Sequence, residues 1–371
     1  MRIGSEKQEI DTPALLIDLD VLEKNIKTMG DYYRGKKGSA LLPHQKGHRL
    51  PIIAKKQIDA GAVGVSMTSL GLAEYYVMSG IDNILITAEI YGRGKIRKLC
   101  SLSKIANITA TVDNIDNARQ ISEEALADGN KINVAVEIYT GKGSCGVGID
   151  DAKSFVQELA KLRGIEFKGL WLVGPEAEMK KPEERKKSHF GWLDKLAKLK
   201  DDIEDAGISV EMLSSGQLAT WNITPEYPNL SNVGVQAGNY VFMDWISKEE
   251  FEGYEVFDYA LTVLTRCISR PKPNEAMFDF GLNSCSDEHS EDYLKVVGPK
   301  FKNHGNIGQI SFREELAGVL LKDPSIDFKI GDVFELIPCH ADTTAKIHDK
   351  YYVIRNDKIE MIWPNYGRGL L

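Results

Sequence analysis

Between residues 39 and 236 the sequence repeats one pattern eight times: a short apolar run, a loop or helix-like stretch, then the next run. The runs fall at residues 39–43, 62–66, 84–87, 108–112, 133–139, 167–173, 209–214 and 232–236. Short apolar runs that do not alternate with polar residues are the pattern of parallel strands buried on both faces. Gly61, Gly80, Gly129 and Gly207 close the intervening segments, where a left-handed C-cap would lead into the next strand. Eight such alternations in succession predict a (β/α)8 TIM-type barrel over residues 20–245. Its first helix is expected to start with Asp20 as N-cap and Glu23 three residues on, ahead of Leu22, Ile26 and Met29. Beyond Asp244 the rhythm changes to closely spaced strand-like runs at 259–269, 276–280, 306–312, 333–338, 351–355 and 358–363. Turn-like sequences around Pro271 and Asn356 separate some of them, so a mostly antiparallel β domain is expected to follow the barrel.

Composition narrows the function. A net charge of -8 without a basic patch excludes a nucleic-acid partner held through phosphates. The five cysteines are scattered and never form a C-x-x-C pair, which predicts neither a disulfide framework nor a zinc knuckle. The N-terminal residues lack the apolar core of a signal peptide, and no run approaches the ~20 apolar residues of a membrane helix. A cytoplasmic protein with no membrane partner is the expectation.

Chemistry concentrates at Leu41-Leu42-Pro43-His44-Gln45-Lys46-Gly47-His48-Arg49, just past the first barrel strand. A lysine near apolar walls and other cationic groups has its ammonium form disfavoured, and the free amine condenses with carbonyls. The plain alternative is a surface lysine in a basic loop. A second cluster comprises Ser215, Gly216 and Gln217 after the seventh run, and Gly238, Asn239 and Tyr240 after the eighth. Glycine-containing loops at the ends of the last two barrel strands bind phosphate readily; taken singly, each also reads as an ordinary turn. In the second domain, His340 and Asp342 are two apart, so on an extended segment both would point the same way and could grip one cation. Thr68 and Glu74 read as a helix cap and a first-turn acid, and His189, His289, His304 and His348 as solvated surface histidines.

Pro43-His44-Gln45-Lys46-Gly47-His48 resembles the Pro-His-x-Lys-x-His signature of the D-threonine aldolase and D-serine dehydratase family, pyridoxal-phosphate enzymes of the alanine-racemase-like fold. The likeness extends from about Asp11 to Gly369, through Gly238-Asn239-Tyr240 before Val241-Phe242-Met243-Asp244 and the closing Trp363-Pro364-Asn365-Tyr366-Gly367. It implies pyridoxal 5'-phosphate on Lys46, with His44 and the two glycine loops among the cofactor-binding residues. It also implies a divalent metal at His340 and Asp342, with manganese or magnesium ahead of zinc because the second ligand is aspartate. It further implies a homodimer, and an N-terminal strand that joins residues 1–19 to residues 246–371 in one β-rich domain.

Several positions depart from the family pattern. Leu42 and Ser144 replace arginines, Val173 replaces a tyrosine, and Leu316 and Met179 replace histidines, the latter being the one that would take a proton from a substrate hydroxyl. Glu176, Glu178, His44 and His48 are the nearest replacement bases, and Glu176 is the residue assigned a catalytic role beside Lys46. The expected activity is a lyase, the metal-assisted aldol cleavage of a D-3-hydroxy amino acid such as D-threonine to glycine and an aldehyde. The alternatives are elimination or racemisation of a D-amino acid on the same cofactor, or a pyridoxal-phosphate-binding protein with little catalysis.

Overall fold

The structure is a computed structural model that describes all residues except Lys37, Lys142, Gly143, 290–295 and Asn306. The described chain divides into two compact units, one of Met29–Lys46, Leu50–Gly238 and Leu370–Leu371, the other of Met1–Thr28, Gly47–Arg49 and Asn239–Gly369.

The chain starts with strand β1 (Ala14–Asp18), and the eight strands of the first unit follow: β2 (Ser39–Leu41), β3 (Val65–Met67), β4 (Asn83–Glu89), β5 (Asn107–Val112), β6 (Ile132–Glu137), β7 (Ile165–Leu172), β8 (Met212–Ser215) and β9 (Val233–Val235). They pair in parallel in the order β2-β9-β8-β7-β6-β5-β4-β3. The remaining gap between β2 and β3 closes through Val63 N–H to Leu41 O (2.9 Å), Ser66 N–H to Pro43 O (3.0 Å) and Gln45 N–H to Ser66 O (2.8 Å). Each run predicted as a barrel strand overlaps one. The four predicted closing glycines all have positive φ.

Helices cover the outside, and a continuous apolar core including Ile84, Ile108, Val134 and Leu170 lies between them and the strands. The barrel interior is a separate, smaller cluster of Leu42, Leu85, Ala135 and Trp171, with Val173 and Met212 against it. Two family polar positions, now Leu42 and Val173, therefore belong to one apolar layer. Trp171 donates its indole N–H to Thr111 Oγ1 (2.9 Å), and Thr111 donates to Ile86 O (2.6 Å), so the polar atoms of these two side chains are hydrogen-bonded inside the barrel.

The other unit is built on a sheet in which Leu261–Lys272 pairs antiparallel with β1, Glu275–Phe278 and Val333–Ile337. β1 pairs in parallel with Lys350–Arg355, the one parallel pairing in a sheet whose other described pairings are antiparallel. The run expected at 306–312 appears as Gln309–Phe312, its first residue, Asn306, lying outside the described residues.

Three local expectations are corrected. Asp18, the last residue of β1, accepts from Val21 N–H (3.1 Å), so it and not Asp20 caps the helix Leu19–Tyr33; Asp20 and Glu23 pair with Arg355 instead. Ser69, not Thr68, caps Leu70–Met78, because its hydroxyl reaches Leu72 N–H (3.1 Å). His189 is not a surface residue: it is fully buried, bonded through Nε2 to Thr224 Oγ1 (2.9 Å), and desolvation pushes its pKa down to about 4.

Trp171→Ala should empty the barrel interior and lower stability by ~3–5 kcal/mol. Trp171→Phe, which loses little more than one hydrogen bond, should cost about 1 kcal/mol. Denaturant unfolding followed by circular dichroism measures both, and equal losses would show that the interior layer does not depend on the indole's bulk.

Candidate active site

The segment after β2 is fixed from both sides. Leu42 N–H donates to Val235 O (2.9 Å) of β9, while the bonds to β3 hold Pro43 and Gln45. Gln45 is fully buried; its amide donates to Pro43 O (2.7 Å) and Gln57 Oε1 (3.0 Å) and accepts from Tyr76 OH (3.3 Å). With Gln45 turned inward, the neighbouring Lys46 side chain is exposed. Lys46 N–H donates to His44 Nδ1 (3.2 Å), which places the neutral imidazole's proton on Nε2, 3.3 Å from Thr87 Oγ1 of β4. Gln45 and Thr87 went unnoticed in the sequence because neither has a motif signature.

The loops after β8 and β9 show unmet hydrogen-bonding capacity. Ser215 is fully buried, yet its Oγ has no partner. No acceptor among the described residues bonds the backbone N–H of Gly216 or Gly238. Gly216 has φ +111°, and a Cβ there would stand 2.8 Å from Thr224 Oγ1; a Cβ on Gly238 would overlap the carbonyl oxygen of His44. Only glycine at 238 lets this loop lie against the residue two positions before Lys46. The Gln217 side chain donates to Gly174 O (3.0 Å), and its backbone N–H is taken by Thr220 Oγ1 (3.1 Å), so Gln217 shapes the loop more than it lines it. A buried hydroxyl without a partner beside two free amide N–H groups suits a phosphate.

Glu176, in the 3-10 turn Pro175–Glu178, is 1% exposed. Ser188 Oγ donates to its Oε1 (3.0 Å), Oε2 has no partner, and His189 Nδ1 lies 3.9 Å from Oε1. Desolvation raises its pKa, against the lowering effect of its hydrogen bonds. Across the barrel from β8 and β9, β4 ends in Glu89, Asp113 follows β5, and β6 ends in Glu137. Glu137 is 6% exposed and hydrogen-bonds Glu89; desolvation, then the charge of Glu89, push its pKa up to about 8. The same two causes raise the Cys145 thiol to about 11. A glutamate closing an otherwise apolar run, two residues past inward-facing Ala135, was the available sequence signal for Glu137.

In the second unit, Asp342 is not on an extended segment as the spacing argument supposed. It is the second residue of the helix Ala341–Lys346, whose N-cap is His340. Asp342 is buried at 3% exposed, and a Cβ on Gly47 would stand 2.5 Å from its Oδ1. Burial, then the Asp342 charge, push the Tyr351 phenol upward, against Arg49. The helix is held at both ends: Ala341 N–H donates to Asp244 Oδ2 (3.2 Å), and Asn365 Nδ2 donates to Ala345 O (2.9 Å) and His348 O (3.1 Å). Asp244 also accepts from Asn239 Nδ2 (2.8 Å), and Tyr240 is fully buried against Phe257. Tyr351 OH bonds His48 O (3.0 Å) and Arg49 bonds Gly367 O (3.2 Å), which gives the closing segment a role in fixing residues 47–49. Asp342 supplies a buried carboxylate on a helix fixed at both ends, and His340, its N-cap, an imidazole two residues earlier; both are ligand types a divalent ion takes.

Comparison with known proteins agrees with this geometry. Residues 17–242 match the family described as alanine racemase, N-terminal domain, and residues 260–354 the putative serine dehydratase domain. The chain is 32% identical over 389 residues to a 3-hydroxy-D-aspartate aldolase of Paracoccus denitrificans, covering 99% of this chain and 94% of that one. It is 31% identical to a D-threonine aldolase of an Arthrobacter species, covering 99% and 95%. The crystal structure of D-threonine aldolase from Filomicrobium marinum superposes with a TM-score of 0.92 at 29% identity, covering 100% and 99%. With both domains matched in order and the likeness running the full length, the chain belongs to the alanine-racemase-like pyridoxal-phosphate enzymes, as a lyase of the D-threonine aldolase type.

Proposed function

We propose that the protein cleaves a D-3-hydroxy amino acid, D-threonine in the simplest case, to glycine and an aldehyde. The observation that carries this reading is the approach of Gly238 to His44: it brings the phosphate-suited loops of β8 and β9 beside the turn that bears Lys46. Ser215 Oγ and the Gly216 and Gly238 amides would hold the phosphate, and Lys46 the aldehyde carbon; Asn239 and Tyr240 follow on the same chain segment. When bound, pyridoxal phosphate supplies an acceptor for the electron pair released at Cα. His340 and Asp342 would hold a divalent ion, manganese or magnesium ahead of zinc, which supplies positive charge to polarise the substrate's 3-hydroxyl.

The protein's own groups then have two tasks. Lys46 would hold the cofactor through its amine and yield that place to the amine of the substrate, which would fix the amino acid by its nitrogen. A carboxylate takes the hydroxyl proton as the Cα–Cβ bond breaks, and a proton returned to Cα completes glycine. Glu176 is the base we assign, because burial raises its pKa and its buried Oε2 has no hydrogen-bond partner among the described residues. Met179 has no such capacity. We further read the enzyme as a cytoplasmic homodimer; no helix among the described residues is long and apolar enough to cross a membrane.

Three experiments test this reading. Borohydride reduction of the loaded protein should attach a pyridoxyl group to the peptide bearing Lys46, read by mass spectrometry; a label elsewhere would sink the cofactor assignment. Gly238→Ala should weaken pyridoxal-phosphate binding at least ~10-fold, about 1.4 kcal/mol, in an absorbance titration. Glu176→Gln should lower kcat for release of glycine and acetaldehyde from D-threonine by ~10²–10⁴-fold. Unchanged turnover there would move the base to another residue while leaving the lyase reading intact.

A further inference from the structure

The rim of the barrel is electrically one-sided. β4, β5 and β6 are adjacent, and their ends carry Glu89, Asp113 and Glu137. Glu137 follows inward-facing Ala135 by two residues, Glu89 pairs with Thr111, whose hydroxyl meets the interior Trp171, and Asp113 lies just past the end of β5 beside Glu89. Oxygens of Glu89 and Asp113 lie within 4.8 Å of one another and of Cys145 Sγ. Among the described residues no lysine or arginine pairs with any of the three. Among the described residues, Asp113 accepts only a backbone N–H, from Gly146 (3.2 Å), and Glu89 Oε1 is buried with no hydrogen-bond partner. Glu137, more than nine-tenths buried, stands beside Glu89, and its burial and that neighbouring charge favour the protonated form of Glu137. Where the family resemblance places an arginine, Ser144 turns its hydroxyl to Gly141 O (2.9 Å).

We infer that this uncompensated carboxylate rim sets the substrate class: the enzyme accepts D-3-hydroxy amino acids whose side chain is neutral or cationic, and rejects those that carry a second carboxylate. The inference rests on the lyase reading above. The phosphate loops lie at β8 and β9 and Lys46 follows β2, so a substrate bound through Lys46 meets the part of the mouth that β4–β6 supply. A substrate carboxylate there faces like charge in a partly desolvated setting, where repulsion is poorly screened.

The test uses the loaded enzyme and two amino acids of nearly equal size that cannot be cleaved, D-asparagine and D-aspartate. Their binding is read from the visible absorption of the bound cofactor. D-asparagine should bind at least tenfold more tightly, and D-threonine should be cleaved with at least tenfold higher kcat/KM than D-3-hydroxyaspartate. Glu89→Gln and Asp113→Asn, made separately, should each narrow the D-asparagine preference severalfold. A variant that fails to fold is replaced by the other, and the wild-type comparison needs neither.

Tighter or equal binding of D-aspartate, or variants that bind both ligands with the wild-type ratio, would overturn the inference while leaving the lyase in place. A cofactor spectrum that no D-amino acid perturbs would overturn the lyase reading and this inference together. Stability gives a check on the rim itself. Glu137 binds its proton more tightly folded than unfolded, so the thermal midpoint should fall as pH rises from about 5 to about 8, and Glu137→Gln should flatten that fall.

Discussion

The site depends on the close approach of Gly238 to the carbonyl of His44, two residues before the exposed amine of Lys46. Any side chain at position 238 would push the loop after β9 off the turn that follows β2. The turn cannot yield, because Gln45 is buried with its amide bonded to Pro43 and Gln57, and its backbone belongs to the closure of the barrel. One glycine thus couples the last barrel strand to the reactive lysine. The barrel is closed by hydrogen bonds from this same turn, so the reactive geometry and the fold share one set of contacts.

The departures from the family pattern follow from packing. Leu42 and Val173 stand in the interior layer with Leu85, Ala135 and Trp171, where an unpaired arginine would have to be desolvated. The changes support each other, since an apolar residue at 42 suits an apolar neighbour at 173. At the rim the effect is reversed: an arginine position holds Ser144, and the inward carboxylates of β4–β6 keep no described basic partner.

The barrel was legible because its strands are buried on both faces, and this produces continuous apolar runs whatever the tertiary details. Lys46 and the glycine loops carry local signatures, and the structure places them after β2, β8 and β9. Other features were not, for two physical reasons. Helix starts depend on which oxygen reaches the orphan N–H groups, and here Asp18 and Ser69, one residue or two from the expected caps, reach them. Burial of a polar residue depends on remote neighbours, so His189 read as a surface residue until Thr224, 35 residues away, supplied its partner. The carboxylate rim lay between these cases: Glu137 ends an apolar strand in plain view, but its meaning needs Glu89 and Asp113, contributed by two other strands.

Donors and acceptors are segregated around the barrel's mouth. Among the described residues, backbone amides and a buried hydroxyl at β8 and β9 lack acceptors, and carboxylates at β4–β6 lack cations. Each arrangement is costly alone, because desolvated polar groups without partners destabilise the fold. A ligand that is anionic at one end and carries no negative charge at the other would satisfy the amides without adding repulsion at the rim. A second anionic group would relieve nothing at the carboxylates and would add like-charge repulsion. The polarity of the mouth therefore constrains the ligand pair as a whole: phosphate toward β8 and β9, a side chain without negative charge toward β4–β6.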